Sequence, residues 1–264
     1  MFEFAFLFPV GVVIATVGMS SGVAGSNFWL PVYLIWLGLD PRLAFWASLV
    51  TMLFGFGSGV ARNLAAGTVD RDLVRDHAPW VLGAAVAGAV AAPRLRIEPL
   101  LAGYALFVIA YGSWLSASTW RRRQPAEEAR QDGPGEPLRL RAGVAGLLQG
   151  LIATGAGALL MPAFLAERPR APAHAVGSSV TLVLLASAVA ALVRVDAGLW
   201  RTLTANAEQV ASMTVFAAAG AVLGGQVGPR VAARLPSLWL KRYVALVLLA
   251  VGLAVARRVF VAGP

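Results

Sequence analysis

The chain carries nearly the same pattern twice, 131 positions apart. The shared positions are small or turn-forming residues. In the first copy they are Pro31, Pro41, Ala44, Ser48, Ala66 and Gly67, and in the second Pro162, Pro172, Ala175, Ser179, Ala197 and Gly198. A glycine-rich stretch precedes each copy, at residues 18–27 and 150–157. A duplicated apolar unit with an interrupted opening segment is typical of secondary transporters.

The composition predicts an all-α integral membrane protein that crosses the bilayer several times. Of the 264 residues, 58% are hydrophobic and only 13% are charged, and the mean hydropathy is +0.73. A soluble domain carries roughly 25% charged residues. Residues 4–39, 43–61, 78–93, 99–120, 142–166, 209–229 and 243–256 are uncharged, and 171–193 holds only one histidine. Most of these runs reach the roughly 17–25 residues that a spanning helix needs.

Charge and motif content exclude several other classes of protein. The net charge is +9, but the basic residues are scattered among loops, which argues against a nucleic-acid partner. Without cysteine there are no disulfides, thiolate metal sites or cysteine nucleophiles. We find no phosphate loop, no His-Glu-x-x-His and no Gly-x-Ser-x-Gly. We therefore expect neither an enzyme nor a bound cofactor or metal. The N-terminus lacks a basic region, so we interpret it as the start of the first membrane segment.

One polar stretch divides the chain into two halves. Residues 121–141 are rich in arginine, glycine and proline, which predicts a flexible linker on the cytoplasmic side. The expected units are a first transmembrane repeat at 1–120 and a second at 142–264, each with about four apolar segments. The Ala-Gly pairs at 66–67 and 197–198 each predict a helix end followed by a turn.

The opening segment of each half decides the topology. Residues 4–39 as one straight helix would span about 54 Å, against a hydrocarbon core of about 30 Å, so a break is expected. If each opening segment crosses once, the linker side holds 13 of the 22 lysines and arginines. If each is a re-entrant hairpin, that side holds 15, which fits the excess of basic residues on the cytoplasmic side better. The hairpin also makes the two repeats inverted. The alternative is that residues 142–166 form one ordinary spanning helix.

The two interruptions predict a central anion site. Non-helical backbone at membrane depth is tolerated only where it is buried or lines a cavity, and a half-helix starting there directs N–H groups at its ligand. The candidate residues are Gly22, Gly25, Ser26, Asn27, Thr154, Gly155 and Gly157. The amides of Asn27 and Gln149 are weaker candidates than the others, because neither is reproduced at the corresponding position of the other half. The alternative is that the glycines serve close helix packing.

The helix after each interruption adds hydroxyls that can donate to an oxyanion. The candidates are Ser48, Thr51, Ser178, Ser179 and Thr181, of which Ser48 and Ser179 correspond at the 131-residue offset. The alternative is that each hydroxyl bonds a carbonyl of its own helix. Ionisable residues near the apolar runs are Glu208, His77 and His174. These are candidates for proton coupling, although all three stand at segment ends, where a solvated role also explains them.

Several of these motifs resemble the TauE/SafE family, the sulfite-exporter group of membrane permeases. In the first half they are Gly22-x-x-Gly25, Pro31, Leu39-Asp40-Pro41-x-x-Ala44 and Gly67-x-Val69-Asp70. The second half repeats them with Pro162, residues 173–179 and Gly198. The second turn, at Gly155 and Gly157, is less glycine-rich than is usual in the family.

The resemblance implies transport of small sulfur-containing or organic anions, such as sulfite or sulfonates, across a bacterial inner membrane. The expected function is a secondary anion permease with a midplane site between the repeats. A passive anion channel and a non-transporting membrane scaffold are the alternatives. The expected partners are the small anion and the lipid bilayer, and a homo-oligomer is compatible with the sequence.

Overall fold

The computed structural model describes residues 2–21, 26–120, 138–167, 172–234 and 237–261, and this part of the chain is helical without strands. Four described helices are long and apolar enough to cross a membrane: Pro41–Ala65, Ile97–Thr119, Ala173–Val193 and Ala207–Gly228. The α-helices are α1 (Leu7–Ser21), α2 (Ser26–Pro31), α3 (Pro41–Ala65), α4 (Arg71–Ala91), α5 (Ile97–Trp120), α6 (Leu138–Ile152), α7 (Ala156–Glu167), α8 (Pro172–Val193), α9 (Ala197–Ala205), α10 (Ala207–Arg234) and α11 (Ser237–Val261). An all-α membrane fold is therefore confirmed, while α6 begins four residues before the predicted boundary at 142.

The first opening segment is divided into two helices. After α1 ends, α2 runs into a π-helical turn at Val32–Trp36. The ring of Trp36, at the end of this turn, lies 5.1 Å from that of Phe6, which precedes α1. The chain thus comes back to the end from which it started.

The second opening segment is also divided, between α6 and α7. Ala153 has a φ of 56° and Gly155 a φ of 109°, both in the left-handed region. Such a φ is costly for a residue with a side chain, so the helix cannot continue through this point. Pro162 of α7 and Leu140 near the start of α6 line the same cleft, so the second segment also folds back. The alternative of one ordinary helix over 142–166 is wrong.

Close helix crossings depend on glycine. Gly146 and Gly150 of α6 lie against backbone atoms of Val81 and Ala85 in α4. In a second pair, Gly220 and Gly224 of α10 lie against backbone atoms of Phe8 and Val12 in α1. In both pairs the residue numbers rise together, so the helices run parallel. Small residues let helices pack this tightly in lipid, where van der Waals contact replaces the hydrophobic effect.

The central helices α3 and α8 run antiparallel. At one end, the indole N–H of Trp46 donates to the carbonyl of Ala191 over 3.1 Å. At the other end, the backbone N–H of Asp70, just beyond α3, donates to Ser178 Oγ over 2.9 Å. Buried aromatic residues of α2, α3 and α5 pack around this pair, among them Trp29, Phe45 and Tyr104.

One predicted turn is present and the other is not. Gly67 has a φ of 66° just after α3, and Asp70 caps α4 by accepting from Leu73 N–H at 3.0 Å. Residues 197–198 instead start α9, because Asp196 accepts from Leu199 N–H at 2.7 Å and so caps a new helix. The predicted helix end at 197–198 is therefore wrong.

Candidate functional site

The two divided segments touch each other through Asn27 and Thr154. Asn27 stands in the first turn of α2 and Thr154 in the break between α6 and α7, and both are fully buried. The Thr154 hydroxyl donates to Asn27 Oδ1. Tyr104 of α5 donates to the backbone carbonyl of Asn27 over 2.7 Å. These contacts bring a polar group from each half of the chain to one point in the interior.

The amide nitrogen of Asn27 has no hydrogen-bond partner. Its Oδ1 is occupied by Thr154, whereas Nδ2 is buried without an acceptor. A buried donor left unsatisfied costs about 1–3 kcal/mol, so native proteins rarely keep one without a reason. An N–H donor that awaits an acceptor suits an oxyanion.

The start of α7 lies two residues after Thr154, in the break that Asn27 contacts. The backbone N–H of Ala156 donates to Gln149 Oε1 at 3.4 Å, a long contact, and Gln149 Nε2 donates to Ser187 Oγ over 3.0 Å. Gly155 precedes the helix and Gly157 is buried in its first turn. The N-terminal end of a helix carries a partial positive charge, which adds an attraction for anions.

A buried cation fixes the end of α6 that leads into the break. Arg194 donates to the carbonyl of Gly150 through Nε at 3.0 Å and Nη2 at 2.8 Å, and to the carbonyl of Leu151 through Nη2 at 2.6 Å. Its guanidinium lies 5.3 Å from the centre of the Phe45 ring. Arg194 is buried, and it is a cation because arginine keeps its proton in proteins. It therefore satisfies carbonyls that a broken helix would leave without partners.

Most of the predicted hydroxyls bond locally. Ser48 donates to Phe45 O at 2.7 Å, Ser179 to Val176 O at 3.0 Å and Thr181 to Gly177 O at 2.8 Å. These are the bonds to their own helix that formed the alternative interpretation. Thr51 differs, because its hydroxyl lies 2.6 Å from the hydroxyl of Tyr33.

The structure does not bring the predicted hydroxyls to one point. Ser178 bonds the backbone of Asp70 at one end of the α3–α8 pair, whereas Ser48 follows Trp46, which bonds Ala191 at the other end. Ser179 and Ala191 are separated by about 18 Å along α8, at about 1.5 Å per residue. Ser48 and Ser179 are therefore far apart, and their contact with substrate stays a prediction.

A family model describes the chain over almost its full length. The model for the sulfite exporter TauE/SafE matches residues 7–255. The chain belongs to this family. The resemblance seen in the motifs is thereby confirmed. No curated protein and no solved structure matches the chain.

Membership identifies the general activity. TauE/SafE proteins are membrane permeases of the sulfite exporter type, so this chain is a transporter rather than a member of an enzyme family. The apolar helices of the described chain agree with a multi-pass membrane protein. Its partners accordingly include a small anion and the lipid bilayer.

For three residues of the predicted anion site, the structure of this TauE/SafE protein gives no side-chain contacts. Gly22 and Gly25 lie outside the described residues, and Ser26 is described only as the first residue of α2, without its side chain.

The proton-coupling candidates lie on helices α4, α8 and α10. His77 is buried in α4, with its Nδ1 2.9 Å from Leu73 O and its ring 5.5 Å from that of Phe164. His174 is half-buried in the first turn of α8, and Glu208 is exposed in the first turn of α10. A coupling role for any of the three stays a prediction.

The sequence interpretation missed Arg194, Tyr104 and Ser187. Arg194 directly follows an uncharged run of more than 20 residues, and an arginine in that position can turn inward to bond backbone. Tyr104 and Ser187 lie inside apolar runs, where a polar side chain requires a partner. The sequence does not indicate which partner each would find.

Proposed function

We propose that the chain is a secondary permease for small oxyanions and that its substrate binds where the two divided segments meet. The site would comprise the Asn27 amide, the Thr154 hydroxyl and the first turn of α7 at Gly155 and Gly157. The main support for this proposal is that Asn27 Nδ2 is buried and has no hydrogen-bond acceptor. Asn27 contacts Thr154, which precedes the N-terminus of α7. The Asn27 amide and the backbone N–H groups can donate to the anion, and the Thr154 hydroxyl, which donates to Asn27 Oδ1, holds that amide in place. None of these groups adds a full positive charge that would hold the anion too tightly to release it.

We propose further that residues 1–120 and 142–264 are inverted repeats joined by the linker at 121–141. The bounds of α1 and α6 differ by 131 at both ends, the offset of the sequence repeat. α3 and α8, the equivalent helices that follow, are antiparallel. The pairing of α1 with α10 has its counterpart in the pairing of α6 with α4. An inverted pair would present one helix break from each side of the bilayer.

The distribution of arginine supports an orientation with the linker in the cytoplasm. Arg62, Arg71 and Arg75 lie around the α3–α4 turn, which is at the same end of the bundle as the start of α6. Basic residues favour the cytoplasmic side, and a bacterial inner membrane is the compartment that we propose.

Family membership suggests sulfite or a sulfonate as the substrate. The test measures flux from proteoliposomes that contain sulfite or a short sulfonate. It compares the parent chain with Thr154→Val and with the control Thr202→Val, which lies on α9. We expect saturable flux in the parent and the control, and at least a tenfold loss in Thr154→Val. Absence of saturable flux for every small anion in the parent would contradict the proposal.

An imposed proton gradient separates coupled transport from passive flux. Accumulation of the anion above equilibrium indicates coupling. Purely downhill flux would identify a facilitator that uses the same site.

A further inference from the structure

A cleft on the outside of the bundle is separate from the proposed anion site. It has a volume of about 610 Å³ and lies between α5, α6 and α7. Ligand pockets in proteins commonly measure about 300–1,000 Å³, so the cleft is large enough for part of an organic molecule.

One wall of the cleft is a row of aromatic rings on α5. The rings of Phe107 and Tyr111 lie 6.2 Å apart with an angle of 11° between their planes. Those of Tyr111 and Trp114 lie 5.8 Å apart at 20°. The opposite wall is formed by aliphatic residues of α6 and α7, among them Val144 and Leu159. The interior of the cleft is therefore apolar along its length.

The two ends of the cleft differ in charge. Arg141, exposed in the first turn of α6, lines it at the end where the arginine-rich linker joins. Phe107 lies at the inner end of the cleft, next to Gly155. A Cβ atom at position 155 would lie 3.5 Å from the Phe107 ring. Phe107 and Trp114 are seven residues apart, or about 10 Å along α5. The cleft thus extends from Arg141 at the start of α6 to the break between α6 and α7.

We propose that this cleft binds an anionic phospholipid, with one acyl chain along Phe107, Tyr111 and Trp114 and the phosphate at Arg141. An acyl chain in a bilayer runs parallel to the helices, as the cleft does, and its headgroup lies at the level of Arg141. Basic positions between membrane helices on the cytoplasmic side are where anionic headgroups bind. Because Ala158 and Pro162 of α7 line the same cleft, the lipid would contact the helix that begins at the break.

Fluorescence quenching tests this directly. The full chain in detergent is titrated with phosphatidylglycerol that carries brominated acyl chains, and the emission of its 8 tryptophans is recorded. Trp114→Phe should remove most of the saturable quenching. Trp80→Phe should not, although Trp80 on α4 is exposed to a similar degree, 49% against 54% for Trp114. Equal quenching in the two variants would overturn the proposal.

Charge selectivity provides a second measurement that does not depend on Trp114. Arg141→Gln should weaken binding of phosphatidylglycerol by about fivefold and leave phosphatidylethanolamine with the same chains unaffected. The control is Arg139→Gln, because Arg139 lies over the Trp80 ring at 5.9 Å and does not line the cleft. If both variants respond alike, the headgroup assignment is wrong. A dimer cross-linked efficiently through Val144→Cys would assign the cleft to a second copy of the chain and would also overturn the proposal.

Discussion

Arg194 holds the carbonyl of Gly150 with two of its nitrogens, Nε and Nη2, at 3.0 and 2.8 Å. Gly150 belongs to the last turn of α6, four residues before Thr154. A helix that stops inside the protein leaves carbonyls that need a donor, and each one left unsatisfied costs about 1–3 kcal/mol. Arg194, from the end of α8, removes that cost and fixes the position of the break.

Removing this guanidinium should destabilise the protein. Arg194→Met leaves two buried carbonyls without donors, and we expect a loss of about 2–4 kcal/mol in the free energy of unfolding. Arg194→Lys keeps the charge but not the forked geometry, so its loss should be smaller. The measurement is thermal or denaturant unfolding in detergent. Arg201→Met is the control, since Arg201 is exposed and bonds only its own helix. A loss no larger than that of the control would show that Arg194 is dispensable.

The glycines of α6 differ in what surrounds them. A side chain on Gly146 would collide with the backbone of Val81, whereas one on Gly143 would meet nothing within 4 Å. We therefore expect Gly146→Ala to cost about 1–3 kcal/mol by overpacking. Gly143→Ala should be neutral or stabilising by up to about 1 kcal/mol, because alanine is the better helix former. The measurement is the free energy of unfolding of the two variants under identical conditions. Equal stabilities would contradict the close packing of α4 and α6.

The helical architecture and the helix breaks could be predicted from the sequence because they depend on local properties. Long uncharged runs require helices in lipid, and the glycines around 155 mark where one of them stops. The additional helix α9 was not predicted, because the same local motif has different outcomes in the two halves. The same Ala-Gly pair follows the end of a helix at 66–67 and starts one at 197–198, where Asp196 provides the cap.

The partners of the polar residues could not be predicted in this way. Ser48 and Ser179 correspond in the sequence pattern and suggested one shared site, yet α3 and α8 run antiparallel, which places the two residues toward opposite ends of the helix pair. Asn27 and Thr154 do not correspond at the 131-residue offset, and they meet. Such pairings follow from tertiary packing, which neither spacing nor composition contains.

The proposed anion site predicts a strong effect of charge at Asn27. Asn27→Asp keeps the shape and lets Thr154 still donate, but it places a carboxylate where the anion would bind. At pH 8 we expect at least a tenfold loss of binding, because like charges repel strongly away from water. Binding should recover as the pH falls and the carboxyl group becomes protonated. A sulfonate is the ligand to use, since it stays anionic over this range.

The measurement for Asn27→Asp is the rise in melting temperature with sulfonate concentration, from pH 8 to pH 5. Asn206→Asp serves as the control because Asn206 is exposed between α9 and α10. The site assignment fails if Asn27→Asp binds the sulfonate like the parent chain at pH 8. It also fails if the control loses binding to the same extent.

The proposed topology can be tested by labelling, since the chain has no cysteine of its own. With re-entrant opening segments, Arg71 and Asn206 lie on opposite sides of the membrane. If each opening segment crossed once, they would lie on the same side. Both positions are exposed, so cysteine should be tolerated at each. In intact cells, we expect a membrane-impermeant thiol reagent to label Asn206→Cys at once and Arg71→Cys only after the membrane is permeabilised. Labelling of both positions from outside would rule out the hairpin arrangement and, with it, the inverted repeats.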